Sequence, residues 1–374
     1  MMRYQDMQQV LQDLQQAHAK PAVSIFIRTH RTFPDNDKDS IALKNQLKLA
    51  ETNLKKQYDE EITKQVMRHI QQQLADLNQN YNLDTLAIFA TPEQAQVVRF
   101  PFKAEERVVI NDRFMVQDIL RNLLSAVHYY VVVATREKGR LIEAVDDRVV
   151  HEFDPQDTDA LNVLPFGAFP MQSDNLTATR VDERAGVEDN YIKEFMNRID
   201  KNLQAMRARN NLPVIVVGDK RNLGFYQEVS DQPASIIATV DNITHMDNSD
   251  AQHIIDGVQN AVKHYQRQQQ EQASQEIQSL RGSSRVRTDL QDIYRAALEG
   301  NAATLYVRQN YSLAGHLDAD QRAAISEPTS DSTSSQNDMV DDLIELVRKN
   351  SGQVMFLDPA MTGELEPLVL VTRY

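Results

Sequence analysis

Residues 129–153, YYVVVATREKGRLIEAVDDRVVHEF, decide the fold. Tyr129–Ala134, Arg140–Ala144 and Val149–Phe153 are β-branched and aromatic runs joined by tight EKG and DD connections, which predicts a three-strand meander. Downstream, Pro213–Val217 (PVIVV) reads as a strand buried on both faces and Ser235–Val240 as another, the layout of a sheet covered by helices. Leu164–Asp189, LPFGAFPMQSDNLTATRVDERAGVED, breaks this pattern. It is polar, punctuated by Pro165, Gly167, Pro170 and Gly186, and a structureless insert of this length is usually functional or disordered. Tyr191, Phe195, Ile199, Leu203 and Met206 then predict a helix with one core stripe. Ile254, Val258, Ala261 and Tyr265 head a second, long helix, whose polar continuation, QRQQQEQASQEIQS (266–279), is expected to reach away from the core.

On the N-terminal side, residues 4–18 read as an amphipathic helix ended by Pro21, and Ala22–Ile27 (AVSIFI) as a buried strand. Leu43, Leu47, Ala50 and Leu54, followed by Ile62, Val66, Ile70 and Leu74, give two helical stripes, one long helix or a broken pair. Thr85–Ala90, Gln96–Phe100 and Val108–Ile110 are strands. Asp112 is placed to cap the helix carrying Phe114, Ile119, Leu123 and Leu124. On the C-terminal side, RGSSRVR (281–287) is a Gly/Ser linker and the clearest domain boundary. Thr288 to Gln291 forms a capping-box pattern, and Gly300 stops the helix that follows. Thr304–Val307, Val354–Leu357 and Leu368–Thr372 are strands, with a helix on Val340, Leu343, Ile344 and Val347. EPTSDSTSSQN (327–337) is low-complexity.

These units predict an α/β (α+β) chain of three domains: residues 1–127, 128–280 and 281–374. The length of 374 residues suits that number. The 41% hydrophobic and 25% charged residues are those of an ordinary soluble globular protein, and no apolar run is long enough to cross a bilayer. Zero cysteines exclude disulfides, thiolate catalysis and Cys-ligated zinc. With no signal-peptide pattern at the start, a cytoplasmic location is expected. The net charge of −14 argues against indiscriminate binding to polyanions, DNA included. Its distribution is uneven: residues 1–130 carry 16 basic and 16 acidic side chains, 131–279 carry 15 and 24, and 280–374 carry 9 and 14.

No phosphate-binding Gly-Lys-Ser/Thr loop, Gly-x-Gly-x-x-Gly, His-Glu-x-x-His or Gly-x-Ser-x-Gly occurs, which argues against nucleotide hydrolase, Rossmann, metalloprotease and serine hydrolase readings. No metal site and no cofactor are expected. His245 and His253 near Asp247 and Asp250 read as a helix start. Asp146 and Asp147 could hold a cation between strands, but a tight turn wants the same residues. Lys44, Lys48, Lys55 and Lys56, beside His30 and Arg31, are either a solvated helix face or contacts for an RNA backbone. Arg281, Arg285 and Arg287 are either solvated or a phosphate-binding patch.

The order of segments resembles the archaeal and eukaryotic class-one peptide-release factors and Pelota, and above all their bacterial relatives. AVSIFIRTH (22–30) is similar to the family's first strand and loop. LDTLAIFA, VVRFPF and VVINDRFMVQDILRNLL are similar to the end of its first domain, and residues 129–153 to the opening meander of its RNase H-like middle domain. NLPVIVVGDKRNLGFYQEV resembles that domain's later strand and helix. TDLQDIYRAALEGNAATLYV and SGQVMFLD resemble its third domain, an α/β sandwich of the kink-turn-binding ribosomal-protein type. Ala42-Leu43-Lys44-Asn45 stands where codon-reading members carry Asn-Ile-Lys-Ser, and only the lysine is kept.

The resemblance implies a ribosome-associated factor in translation termination or rescue of stalled ribosomes, with ribosome and tRNA as partners. It also implies a Gly-Gly-Gln loop within 164–189, but the chain reads FGAFPMQ (166–172) there. Gln172 is the catalytic candidate of a divergent peptidyl-tRNA hydrolase, and Pro170 and Met171 stand in place of the two glycines. The YYVVVA strand supplies no carboxylate for a nuclease centre. The expectation is therefore a binding factor, with the divergent hydrolase and an acidic protein-interaction scaffold, the latter a possible homodimer, as alternatives.

Overall fold

The computed structural model describes residues 17–31, 34–75, 82–154, 169–173, 185–309, 311–313, 315–317, 323–325, 338–362 and 365–374, together with Val10, Leu11, Asp13, Leu14 and Leu77. It divides into two compact units, residues 1–262 and 263–374.

The first unit opens with an antiparallel sheet of β1 (His18–Arg28), β2 (Thr85–Ala90), β3 (Ala95–Phe100) and β4 (Arg107–Arg113), in the order β3-β2-β1-β4. AVSIFI is almost continuously apolar because both faces of β1 are covered. Val23, Ile25 and Ile27 face α1 (Asp39–Gln57) and α2 (Glu60–Ala75), where Leu43, Ala50, Leu54, Val66 and Ile70 are buried. Ala22 and Phe26 face the other way, towards Phe114, Val116, Ile119 and Leu123 around α3 (Gln117–Ser125). The paired stripes of the sequence are thus two helices, broken at Tyr58 and Asp59. Asp112 lies inside β4, and the cap position of α3 is Val116, so the expected aspartate cap is not used. The N-terminal helical stripe is described only at four residues between Val10 and Leu14, and β1 already starts at His18.

The meander forms as read: β5 (His128–Ala134), β6 (Lys138–Val145) and β7 (Arg148–Glu152). They join β9 (Val214–Val217) and β10 (Ile236–Val240) in the order β10-β9-β5-β6-β7, and β8 (Met171–Gln172) adds to the end of β6. β5, β9 and β10 are parallel, and β6 runs antiparallel to both neighbours. On one face Tyr130, Val132 and Ala134 pack against α4 (Ala185–Arg207) and α5 (Lys220–Val229). On the other, Tyr129, Val131 and Val133 pack against the first half of α6 (Ala251–Ser279). Phe195, Ile199, Leu203 and Met206 of α4 are buried as expected, but Tyr191 is 51% exposed and Ile192 takes the inward position. The stripe at the start of α4 therefore runs one residue later than four-residue spacing suggested.

In the second unit β11 (Val286–Arg287), β12 (Ala302–Arg308), β15 (Gln353–Leu357) and β16 (Leu368–Thr372) form the order β11-β16-β12-β15, with β13 (Gly315–Leu317) and β14 (Ala323–Ile325) a separate hairpin. α7 (Leu290–Leu298) and α8 (Met339–Lys349) bury Ile293, Ala297, Val340, Leu343, Ile344 and Val347, and α9 (Pro359–Thr362) precedes β16. The N-cap of α7 is Asp289, which accepts from the backbone of Gln291 and Asp292, rather than Thr288. Gly300 stops it with φ +70, a region glycine enters without cost. The 327–337 segment lies outside the described residues.

One finding reverses an expectation. The polar continuation of α6 does not reach away from the core: Ala273 and Ile277, four residues apart, bury against Tyr306, Leu357, Leu365, Val369 and Val371. Gln270 adds a clamp, donating to Phe356 O at 2.9 Å and accepting from Asp358 N at 2.9 Å. Two apolar residues in a glutamine-rich run escape notice because their stripe is only one residue wide. The unit division falls inside α6, and 286–287 is a strand instead of free linker.

Two stability outcomes follow. Ile277→Ala should cost about 2–5 kcal/mol by equilibrium denaturation, whereas a residue on a solvated extension would cost almost nothing. At Gly218 a Cβ would stand 2.6 Å from the backbone oxygen of Ala134, while at Gly224, inside α5, it would meet nothing within 4 Å. Gly218→Ala should destabilise by about 1–3 kcal/mol, and Gly224→Ala should stabilise by up to about 1 kcal/mol, both read from chemical denaturation midpoints.

Candidate functional site

The residues singled out by sequence fall in separate places. Thr29–Arg31 leave the end of β1 in a loop held from below by buried polar groups. Thr29 N donates to Asp84 O at 3.1 Å and its hydroxyl to Leu83 O at 2.7 Å. His30 puts its backbone N–H on Asp39 Oδ2 at 2.9 Å and its Nδ1 on Oδ1 at 2.7 Å. Asn82 Nδ2 donates to the same Oδ2 at 3.1 Å. Arg31 donates through Nε to Asp84 Oδ2 at 3.0 Å and through its guanidinium to Val149 O. Its side chain is only 21% exposed, so Arg31 ties the first sheet to β7 instead of offering a charge to solvent. His30 is 47% exposed.

α1 starts at Asp39 and turns Leu43, Ala50 and Leu54 inward. With 3.6 residues per turn, Ile41, Lys44, Asn45, Lys48, Thr52 and Lys56 fall on the opposite side, and all are exposed. Lys55 shares this side but pairs with Glu51 at 2.6 Å. Ile41, 62% exposed, shares this face with the lysines. Asp39, Asn82 and Asp84, which organise the neighbouring loop, carry no signal in sequence. They are ordinary polar residues of a helix start and a loop until the fold brings them together.

Gln172 is exposed on β8. β8 is pinned to the β5–β6 hairpin by the pairings Lys138–Gln172 and Gly139–Met171 and by Ser173 N donating to Glu137 O at 3.0 Å. Phe169 and Met171 point into the α4 core, and Asn202 Nδ2 donates to Met171 Sδ at 2.9 Å. The rest of the 164–189 stretch is described only at 185–189.

Arg285 Nε donates to Thr372 O at 3.1 Å, and Arg287 donates to the carbonyl of Ser284. Both are half-buried, and Arg281 alone of the three is exposed. The structure therefore uses Arg285 and Arg287 to close the β11 edge. Asp250 caps the start of α6 by accepting from His253 N at 2.8 Å, and Asp247 accepts from the Thr135 hydroxyl at 2.5 Å. Among the described residues no group of three or more His, Asp or Glu side chains is placed to hold a metal ion.

Asp146 and Asp147 make the β6–β7 turn, with Asp146 at φ +49. Asp146 Oδ1 accepts from Val127 N at 2.9 Å, and its carbonyl accepts from the Tyr129 hydroxyl at 2.8 Å. Burial pushes the Asp146 carboxyl up; the Val127 N–H opposes this and the charge of Asp147 adds to it. This is a packed turn.

Residues 128–301, a little under half of the chain, match the family described as bacterial archaeo-eukaryotic release factor family 3. The chain is release-factor-like over those residues, which hold the whole middle sheet and its helices. No curated protein matches. Similar solved structures include the archaeal translation termination factor aRF1, at 13% identity over 99% of this chain and 98% of that one with a TM-score of 0.25. Archaeal Pelota, from a model of ribosome-bound Pelota and ABCE1, is 12% identical over 100% and 94%, with a TM-score of 0.43. Dom34 of S. cerevisiae is 10% identical over 99% and 93%, with a TM-score of 0.35. At these scores the three structures add no argument of their own.

The turn gives a pH outcome. Burial, above all, pushes the Tyr129 phenol far above its ordinary 10.0; Gln259 opposes this, and the charges of Asp146, Asp147 and Asp256 add to it. A phenol raised in the folded state favours folding below the unfolded pKa and loses that contribution as pH rises past it. Denaturation midpoints should therefore fall from about pH 10 upward, and Tyr129→Phe should flatten part of that fall.

Proposed function

We propose that this protein is a ribosome-associated factor of translation termination or of stalled-ribosome rescue, acting by binding. The single observation that carries the reading is the match of residues 128–301 to the release-factor family. On this reading residues 1–127 form the domain that meets ribosomal or messenger RNA, residues 128–280 an RNase H-like middle domain, and residues 281–374 the third domain, which borrows the tail of α6. The strand order is compatible with that middle domain, since only β6 opposes the direction of its neighbours.

The exposed lysine row of α1 supports RNA contact over the acidic-scaffold alternative. The first segment is neutral overall, and four of its 16 basic side chains, Lys44, Lys48, Lys55 and Lys56, lie exposed on one face of α1. Phosphate contacts of this kind give affinity that falls with salt, because each neutralised phosphate releases counterions. No observation favours hydrolysis by Gln172, whose strand is anchored by its neighbours Phe169 and Met171.

The test is co-sedimentation with ribosomes across a salt series. Wild-type protein should pellet at low salt, and Lys44→Glu with Lys48→Glu should abolish most pelleting without changing the thermal midpoint. Gln172→Ala should pellet like wild type. Absence of wild-type pelleting at the lowest salt overturns the proposal.

A further inference from the structure

We propose that His30 is presented as a hydrogen-bond acceptor for RNA, its Nε2 receiving a ribose 2′-hydroxyl. The inference rests on the ribosome-binding reading above and assigns His30 a role different from that of the lysines beside it.

Thr29, Asp39, Asn82 and Asp84 are each less than a tenth exposed. Burying four polar side chains is costly unless each is satisfied, and here each is, through the bonds already described. The member of this set that reaches solvent most is the His30 ring. Holding the loop against β2 would explain Asp39, Asn82 and Asp84, because the His30 backbone N–H reaches Asp39 without any ring. It does not explain why the ring also lies on that carboxylate.

The bond fixes which nitrogen carries the proton. Asp39 Oδ2 already receives two N–H donors, from the His30 backbone and the Asn82 amide, so the group acts as an acceptor. Nδ1, 2.7 Å from Oδ1, must then donate. In a neutral imidazole the other nitrogen keeps a lone pair. A lone pair repels phosphate oxygens and takes a hydrogen bond from O–H or N–H. The 2′-hydroxyl is the donor that RNA displays along its backbone and DNA lacks. Lys44 and Lys48, with no acceptor, suit phosphates instead. The loop would thus add discrimination for RNA to a surface whose lysines supply attraction.

The experiment uses the full chain and purified ribosomes at pH 8. His30→Ala should weaken binding about three- to tenfold, the effect of one lost hydrogen bond of about 1 kcal/mol. The slope of log affinity against log salt should stay at the wild-type value. Lys44→Ala, by contrast, should lower that slope by about 0.9, the loss of one phosphate contact. Wild-type pelleting matched by His30→Ala, or a slope lowered in His30→Ala as in Lys44→Ala, overturns this inference and leaves the ribosome reading standing. Wild-type protein that does not pellet overturns both. Independently, nitrogen-15 spectra of histidine-labelled free protein should show the His30 proton on Nδ1. A proton found on Nε2 in the neutral ring overturns the inference whatever the ribosomes do.

Discussion

Burial of β5 on both faces is the constraint from which the first unit is built. Tyr130, Val132 and Ala134 serve one core and Tyr129, Val131 and Val133 the other, so the strand has no side free for water. Such a strand needs partners along both edges, and gets β6 on one and β9 on the other. The close pass at its end, where Gly218 lies against the Ala134 carbonyl, leaves no room for a side chain. That contact sets where α5 can begin, and Asp219 caps it by accepting from Arg221 N and Asn222 N. A one-residue slip of β5 would exchange both cores at once.

Among the described residues around this sheet, the buried charges Asp200, Arg207 and Arg140 are each met by hydrogen-bond partners, which is what allows them to be buried. Asp200 accepts from Tyr226, Ser230, Gln204 and the Asp231 backbone. Arg207 donates to Leu212 O, Gln204, Gln232 and Asn211, closing the end of α4. Arg140 forks onto Glu152 and reaches Met246 O. With every donor placed, these groups are fasteners of helices and loops to the sheet, and the surface chemistry has to be sought elsewhere.

The parts legible in the sequence were those governed by a simple period. The meander, the buried PVIVV strand and the α8 stripe of Val340, Leu343, Ile344 and Val347 all follow from alternation or from 3.6-residue spacing. Several readings failed where a local rule met a tertiary one. Asp112 is a good cap by chemistry, but β4 runs on through it. Tyr191 is apolar enough for a core, yet Ile192 is better aimed. Ala273 and Ile277 sit in a glutamine tract whose composition says solvent, while the sheet of the second unit needs a cover. Of the candidate site, the lysine row could be read because it repeats along one helix. The Asp39–His30–Asn82 arrangement could not, since its members are 9 and 43 residues apart and only pairing of β1 with β2 brings them together.

The FPMQ stretch (169–172) is likewise held by packing. In FPMQ the residues alternate: Phe169 and Met171 enter the α4 core, Pro170 and Gln172 face outward. A glycine at 171 would delete a side chain that fills this core and that Asn202 contacts. A glycine at 170 would loosen the backbone just before Met171, the first residue paired with the β5–β6 hairpin. Paired glycines serve a segment that must adopt backbone shapes closed to other residues, and this one is tied down by packing. Chemistry at Gln172 would ask a strand residue to do the work of a loop tip. Exposed lysines on α1 and the half-exposed His30 ring on the loop that Asp39 holds offer contact without such a demand.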